Sequence, residues 1–301
     1  YKNASMLLLN NMCMLLSIGF IMLCRLDLAS ANKQLLIVAC GSAVALVIPV
    51  MIRRMKFLNQ LTWVYAGAGF VLLAVVLVLG RTEYGAKLSI NLGSFSFQPS
   101  EFVKIIFVFF VASMLYKNTE FIQVVKATVV AGAYVLILVA SKDLGSAVVF
   151  FITYLAMVYV ATKKPLYLAA GAGGGCVAAV GAYFLFNHVR QRVVAWKDPF
   201  SVYDREGYQI VQSLFAIGTG SWFGMGLCQG APDSIPVVKQ DFIFAAICEE
   251  LGGIFAMCLI LVCMSLFLMV VNISLQIKNP FYKLIALGLG TEYAFQVFLT
   301  I

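Results

Sequence analysis

The chain has 301 residues, 62% of them hydrophobic and 11% charged, with a mean hydropathy of +0.97 and a formal net charge of +8. Soluble globular domains carry about 25% charged residues, so this composition excludes them and requires a lipid bilayer as solvent. The positive charge gathers in alternate loops, which makes it a topology signal; a nucleic-acid partner is not expected.

Crossing about 30 Å of hydrocarbon takes roughly 20 apolar residues in a helix. In chain order, residues 5–24, 34–52, 57–80, 166–186, 241–271 and 284–301 reach or approach that length, while 102–116, 127–141 and 146–162 are shorter and partly polar. These runs predict an all-α, polytopic membrane helix bundle of nine transmembrane helices, one membrane domain over residues 1–301 with no soluble domain. The chain opens on Tyr1 and stops at Ile301 inside an apolar run, which predicts a fragment truncated at both ends, with at least one further helix following.

Arg53, Arg54 and Lys56, then Lys117 and Lys126, Lys163 and Lys164, and Lys278 and Lys283 fall on one side, with Glu120 the only acid among them. That side is expected to be cytoplasmic. The opposite connections mix signs and face outward, and so does the long polar loop 188–240. The eight cysteines lack paired spacing and read as packing residues, and a single histidine, His188, gives no metal cluster. Any bound metal would use oxygen ligands.

Charges in hydrocarbon cost at least about 2.5–3.5 kcal/mol each, so each needs a reason. Gln98-Pro99-Ser100-Glu101 opens a helix, and Glu101 and Lys104 share a face. They read either as a structural ion pair at a capped helix start or as the polar floor of a cavity. Lys142-Asp143 is either a solvated turn or, between two helices of only about fifteen residues, a turn sunk below the membrane surface.

Within the run after Asp241, ideal helix geometry puts Glu249 roughly 80° around from it, Glu250 nearly opposite, and the levels about 12 Å apart. These acids cannot form one glycosidase-style carboxylate pair. Glu249 and Glu250, expected deeper in the membrane, either hold helices together, bind a polar headgroup, or relay protons or substrate. In the loop, residues 207–218 suit an amphipathic interfacial helix. The run Gly218–Gly226 is too rich in glycine for a helix, and a glycine run alone is weak evidence for phosphate binding. The interleaved Trp196, Tyr208, Trp222 and Phe223 favour an ordered cap hugging the membrane over a solvated linker.

Four motifs in register carry a resemblance that covers essentially the whole chain. They are Phe97-Gln98-Pro99-Ser100-Glu101-Phe102-Val103-Lys104; Asp143-Leu144-Gly145; Gly207-Tyr208-Gln209 with Gln212-Ser213 and Ala216-Ile217-Gly218; and Asp241-Phe242-Ile243-Phe244-Ala245 with Glu249-Glu250-Leu251-Gly252. Together they resemble the SEDS family, the FtsW, RodA and SpoVE group of bacterial cell-wall proteins. The resemblance implies a ten-helix fold in the bacterial cytoplasmic membrane and a peptidoglycan glycosyltransferase that polymerises lipid II at the outer face, for division, elongation or sporulation. It also implies a class B penicillin-binding protein as partner, and lipid II with undecaprenyl-linked glycan as ligands. The family's essential acid maps onto Asp241, and its tenth helix and Ser-Tyr-Gly-Gly-Ser-Ser ending are not in this sequence. Two departures stand out. Gly85-Ala86-Lys87 continues as Leu88-Ser89, where many members have a tryptophan, and Lys239-Gln240 replaces a His-Thr pair before Asp241.

In the chemistry this implies, a sugar 4-hydroxyl displaces lipid pyrophosphate with inversion, and Asp241 is the candidate general base. The leaving pyrophosphate needs positive charge, from a divalent cation such as Mg2+ or Mn2+ or from Lys239, Arg190, Arg192 and Arg205. Gln98, Ser100, Glu101, Lys104, Asp143, Gln212, Ser213 and Glu249 complete the candidate substrate-binding set. The competing readings are a flippase for lipid II, supported by Glu249 and Glu250 as relay carboxylates, and a docking scaffold, which leaves Asp241 without work.

Overall fold

A computed structural model describes residues 5–55, 57–83, 86–92, 95–204 and 207–301. Among these residues, every expected spanning run is a helix: α1 (Met6–Leu26), α2 (Leu28–Arg54), α3 (Thr62–Leu79), α4 (Pro99–Leu115), α5 (Phe121–Ala140), α6 (Leu144–Thr162), α7 (Pro165–Leu185), α10 (Ile243–Gln276) and α11 (Pro280–Thr300). Six of them, α1, α2, α5, α6, α7 and α10, are long and apolar enough to cross a membrane. The long loop contributes α8 (Asn187–Lys197) and α9 (Tyr208–Gly220). Large apolar side chains stand exposed along α2, including Leu35, Leu36, Val44 and Val47, as lipid-facing residues do.

Three local features differ from expectation. Between α3 and α4 lie three short antiparallel strands, β1 (Arg81–Glu83), β2 (Ala86–Leu92) and β3 (Phe95–Phe97), with Ile90 opposite Phe97 and Leu92 opposite Phe95. The alternation Leu88-Ser89-Ile90-Asn91-Leu92 is the period-2 pattern of a strand. Second, α5 and α6 have 20 and 19 residues, so shortness no longer argues for a sunken turn at Asp143. Third, the helix of α9 runs through Gly218 to Gly220, with Val211, Ser213, Ala216 and Gly220 on its buried side and Gly218 exposed.

The residues fall into two compact units, each drawing on several stretches of chain. One, the second unit, comprises Val50–Ala172 and Phe267–Gln296. Its core is aromatic: Phe107 of α4 lies 4.8 Å from Phe150 of α6 and 5.4 Å from Tyr134 of α5, between ring centroids. The buried Tyr134 hydroxyl donates to the Ala66 carbonyl (2.8 Å), and Gly69 of α3 leaves room for that ring. On α11, Gly288 admits Val108 of α4, since a Cβ there would lie 2.7 Å from a valine methyl.

The other, the first unit, comprises Tyr1–Pro49, Gly173–Leu266 and Val297–Ile301. Its organising feature is a break in α10. Gly252 (φ 87°, ψ 164°) interrupts the helix, where the sequence reading expected one continuous rod from Asp241. In a continuous helix Gly253 N and Ile254 N would donate to Glu249 O and Glu250 O; here the glycine-rich loop bonds all four of these groups instead. Met225 N donates to Glu249 O (2.9 Å) and Gly226 N to Glu250 O (3.0 Å); Gly253 N donates to Ser221 O (2.8 Å) and Ile254 N to Trp222 O (3.2 Å). Backbone meets backbone, so a Cβ on Gly220, Gly224 or Gly252 would overlap main-chain atoms of the other strand. Close approach therefore explains Gly220 and Gly224 of the glycine run. Residues 253–276, at about 1.5 Å per residue, are roughly 36 Å long, enough by themselves to cross the hydrocarbon. That length leaves Glu249 and Glu250 in the short first piece, outside the spanning piece.

Gly252 holds a backbone conformation that only glycine adopts cheaply, and it sits against Trp222, Phe223 and Gly224. Gly252→Val is expected to cost more than about 3 kcal/mol, seen as a large fall in thermal midpoint in detergent. Gly132→Ala in α5, where nothing lies within 4 Å of the added carbon, should be neutral or gain up to about 1 kcal/mol.

Candidate active site

Asp241 ends a turn whose geometry is fixed from within. Gln240 N and Asp241 N both donate to Val237 O (3.0 and 3.2 Å), and Val237 takes a left-handed conformation (φ 59°). Ile235 and Val238 are buried with Met22 of α1, Ala216 of α9 and Ala245–Ile247 of α10, while Lys239, Gln240 and Asp241 stay exposed. Among the described residues, no hydrogen bond or ion pair engages the Asp241 side chain.

The acids around it are all engaged, and the residues that engage them come chiefly from the corner between α1 and α2. Arg25 Nε pairs with Glu250 Oε1 (3.1 Å), its Nη2 donates to Gly230 O (3.2 Å), and its Nη1 lies 3.9 Å from Asp233 Oδ2. Glu249 Oε1 accepts from Ala231 N (2.9 Å). Glu249 and Glu250 thus hold α10 to the loop and, through Arg25, to α1. Their Oε2 atoms are buried without a hydrogen-bond partner.

Two residues beyond Arg25, Asp27 Oδ2 pairs with Lys239 Nζ (3.1 Å) while its Oδ1 accepts from Ala29 N (3.1 Å). The Ser30 hydroxyl, then Lys239, stabilise this carboxylate and lower its pKa to about 2. Lys239, expected to meet the leaving pyrophosphate, is here tied to α1 instead. Arg190 and Arg192 are exposed on α8, Arg190 lying 5.6 Å over the Tyr183 ring. Arg205 lies outside the described residues. Gln212 donates to the Tyr203 hydroxyl (3.0 Å), and the buried Ser213 to Ile210 O (2.8 Å).

The second unit holds the remaining candidates. Gln98 Nε2 donates to Ser100 Oγ (3.1 Å) at the start of α4. Lys104, buried, pairs with Glu101 Oε2 (2.7 Å) and donates to Gln296 Oε1 of α11 (3.0 Å). Asp143, half-buried, caps α6, accepting from Ser146 N (3.1 Å). Among the described residues, no group of three or more His, Cys, Asp or Glu side chains is arranged to hold a metal.

Sequence reasoning passed over Arg25 and Asp27, whose roles need partners more than 200 positions away. It also passed over Glu292, although an acid in the apolar run 284–301 meets the same insertion cost that flagged Glu249.

The sequence profile of FtsW, RodA and SpoVE, described as a cell cycle protein, matches residues 4–301. The chain belongs to the FtsW/RodA/SpoVE family. RodA of Mycobacterium tuberculosis, named a peptidoglycan glycosyltransferase, is 33% identical over 324 aligned residues, which cover 98% of this chain and 69% of that protein. FtsW of Aliivibrio salmonicida is 35% identical over 246 residues, 77% of this chain and 60% of its own. Two solved structures share the fold. One, of a peptidoglycan synthase complex that coordinates polymerization and crosslinking, superposes with a TM-score of 0.82 at 23% identity, over 100% of this chain and 87% of that one. RodA of Thermus thermophilus gives 0.67 at 21%, over 97% and 82%.

In this FtsW/RodA/SpoVE chain the Lys239-Gln240 departure has a structural partner, Asp27. A carboxyl with a lowered pKa contributes its tether fully above the ordinary 3.8 and loses it as pH falls toward about 2. The Asp27 carboxyl resonance should therefore titrate near 2, and Ser30→Ala should move the midpoint up more than Lys239→Met does. Arg25→Ala strands the buried Glu250 and should cost about 3–5 kcal/mol in detergent unfolding, most of it recovered by adding Glu250→Leu.

Proposed function

We propose that this chain is the membrane glycosyltransferase of peptidoglycan synthesis that polymerises lipid II at the outer face of the cytoplasmic membrane, with Asp241 as general base. The observation that carries the assignment is the contrast at α10. Asp27, Glu249 and Glu250 are hydrogen-bonded, whereas Asp241 is exposed on a rigid turn with no partner among the described residues. A base must reach the hydroxyl it deprotonates and must not be consumed by a structural ion pair. Family membership and relatives named peptidoglycan glycosyltransferase supply the reaction class.

Arg190, Arg192 and Arg205 are the candidates for pyrophosphate charge, with Lys239 available to it only by leaving Asp27. A divalent cation, Mg2+ or Mn2+, would supply the same charge through oxygen ligands. The crosslinking partner is proposed to be a class B penicillin-binding protein, in keeping with the synthase complex whose fold is shared. The flippase reading would use a broken helix as an ion or substrate site. In α10, however, four backbone groups at the break, Glu249 O, Glu250 O, Gly253 N and Ile254 N, are already bonded to the loop.

With labelled lipid II and its partner in detergent, Asp241→Asn is expected to lower polymer formation by at least about a hundredfold while lipid II still binds. Unchanged polymer would remove Asp241 as base, and headgroup translocation without polymer would replace the enzyme by a transporter.

A further inference from the structure

Helix α11 carries a polar stripe with one member unaccounted for. Gly288, Glu292 and Gln296 follow at intervals of four, so they lie on one face, one turn apart. Gly288 meets Val108 of α4 and Met157 of α6, and Gln296 accepts from Lys104 of α4. Glu292 therefore faces α4 between the levels of Val108 and Lys104. It is only 6% exposed, its Oε1 is buried, and among the described residues its carboxyl has no hydrogen-bond partner. The charged groups that act on it are Lys104 and Glu101.

An ionisable side chain inside a bundle without a structural partner marks a ligand path or site. The neighbours restrict the ligand. Lys104 already has Glu101 at 2.7 Å, so its charge is countered, and two carboxyls disfavour a pyrophosphate. An ammonium in the cluster disfavours a metal cation. What remains is an uncharged group that offers hydroxyl or amide donors to Glu292 and accepts from Lys104.

We infer that Glu292, with Lys104 and Gln296, binds the hydroxyl- and amide-bearing sugar headgroup of the substrate; this rests on the reading of lipid II as that substrate. The site lies wholly within the second unit, in the seam of α4 and α11, and Glu292 acts in it as an acceptor that fixes the sugar.

The test measures lipid II binding by the intact protein in detergent, in the Asp241→Asn background to stop turnover. Glu292→Leu is expected to weaken lipid II binding about tenfold or more and to leave the affinity for sugar-free undecaprenyl pyrophosphate unchanged. The thermal midpoint should not fall, because the substitution removes a buried carboxyl that supports no other residue. Glu292→Gln, which keeps the volume and an acceptor, should show a smaller loss, and it decides the matter if the leucine variant does not fold. Equal lipid II affinity in both variants and the parent overturns the inference. So does an equal loss of affinity for the sugar-free lipid. Protein with native Asp241 that binds lipid II through Glu292 but makes no polymer overturns the polymerase and leaves this site standing; protein that binds no lipid II overturns both.

Discussion

A peptide group without a partner is costly next to lipid, and α10 breaks at the start of its spanning piece. The segment Ser221–Gly226 makes the break at Gly252 tolerable by supplying four backbone hydrogen bonds to the residues on either side of it. Much else in the first unit follows from that exchange. It fixes the loop against α10, which brings Gly230 and Ala231 within reach of Arg25 and Glu249. It also lets the first piece of α10 depart from the line of the spanning piece, so that Asp241 is presented by a short, anchored element.

The placement of charge follows the same economy of partners. Buried acids in this unit are spent on architecture: Glu250 on Arg25, Glu249 on the backbone of Ala231. The half-buried Asp27 holds Lys239, two residues before Asp241, and so steadies the turn from its other side. Surface ion pairs contribute little to global stability. Their effect here is local, on the orientation of a turn already closed by Val237 O.

How much of this the sequence disclosed depended on the range of each interaction. The helices were legible because insertion into lipid imposes a composition on every residue of a span. Asp241 was legible as the head of a motif, and Glu101 with Lys104 by their spacing of three, which the observed ion pair matches. The short strands were written in the alternation of Leu88 to Leu92 but read as loop. The glycine run was visible, but its reason was not, since Gly220 and Gly224 are shaped by carbonyls of Cys248 and Glu250 further along the chain. Arg25 and Glu250 are separated by 225 positions, a distance across which no local pattern speaks. The pairing of Lys239 with Asp27, 212 positions earlier, was hidden for the same reason.

The clasp between the loop and α10 also sets an order of assembly. Its two strands are near neighbours in sequence, so closing them costs little chain entropy, and the joint can form as soon as the first piece of α10 has been made. The Arg25 contact closes a far longer loop and gains a fixed target only once Glu250 is held in that joint. Biogenesis would then proceed from the joint outward, with the first helix recruited to a nearly finished turn, and a defect at Gly252 would surface as failed insertion before it surfaced as lost activity.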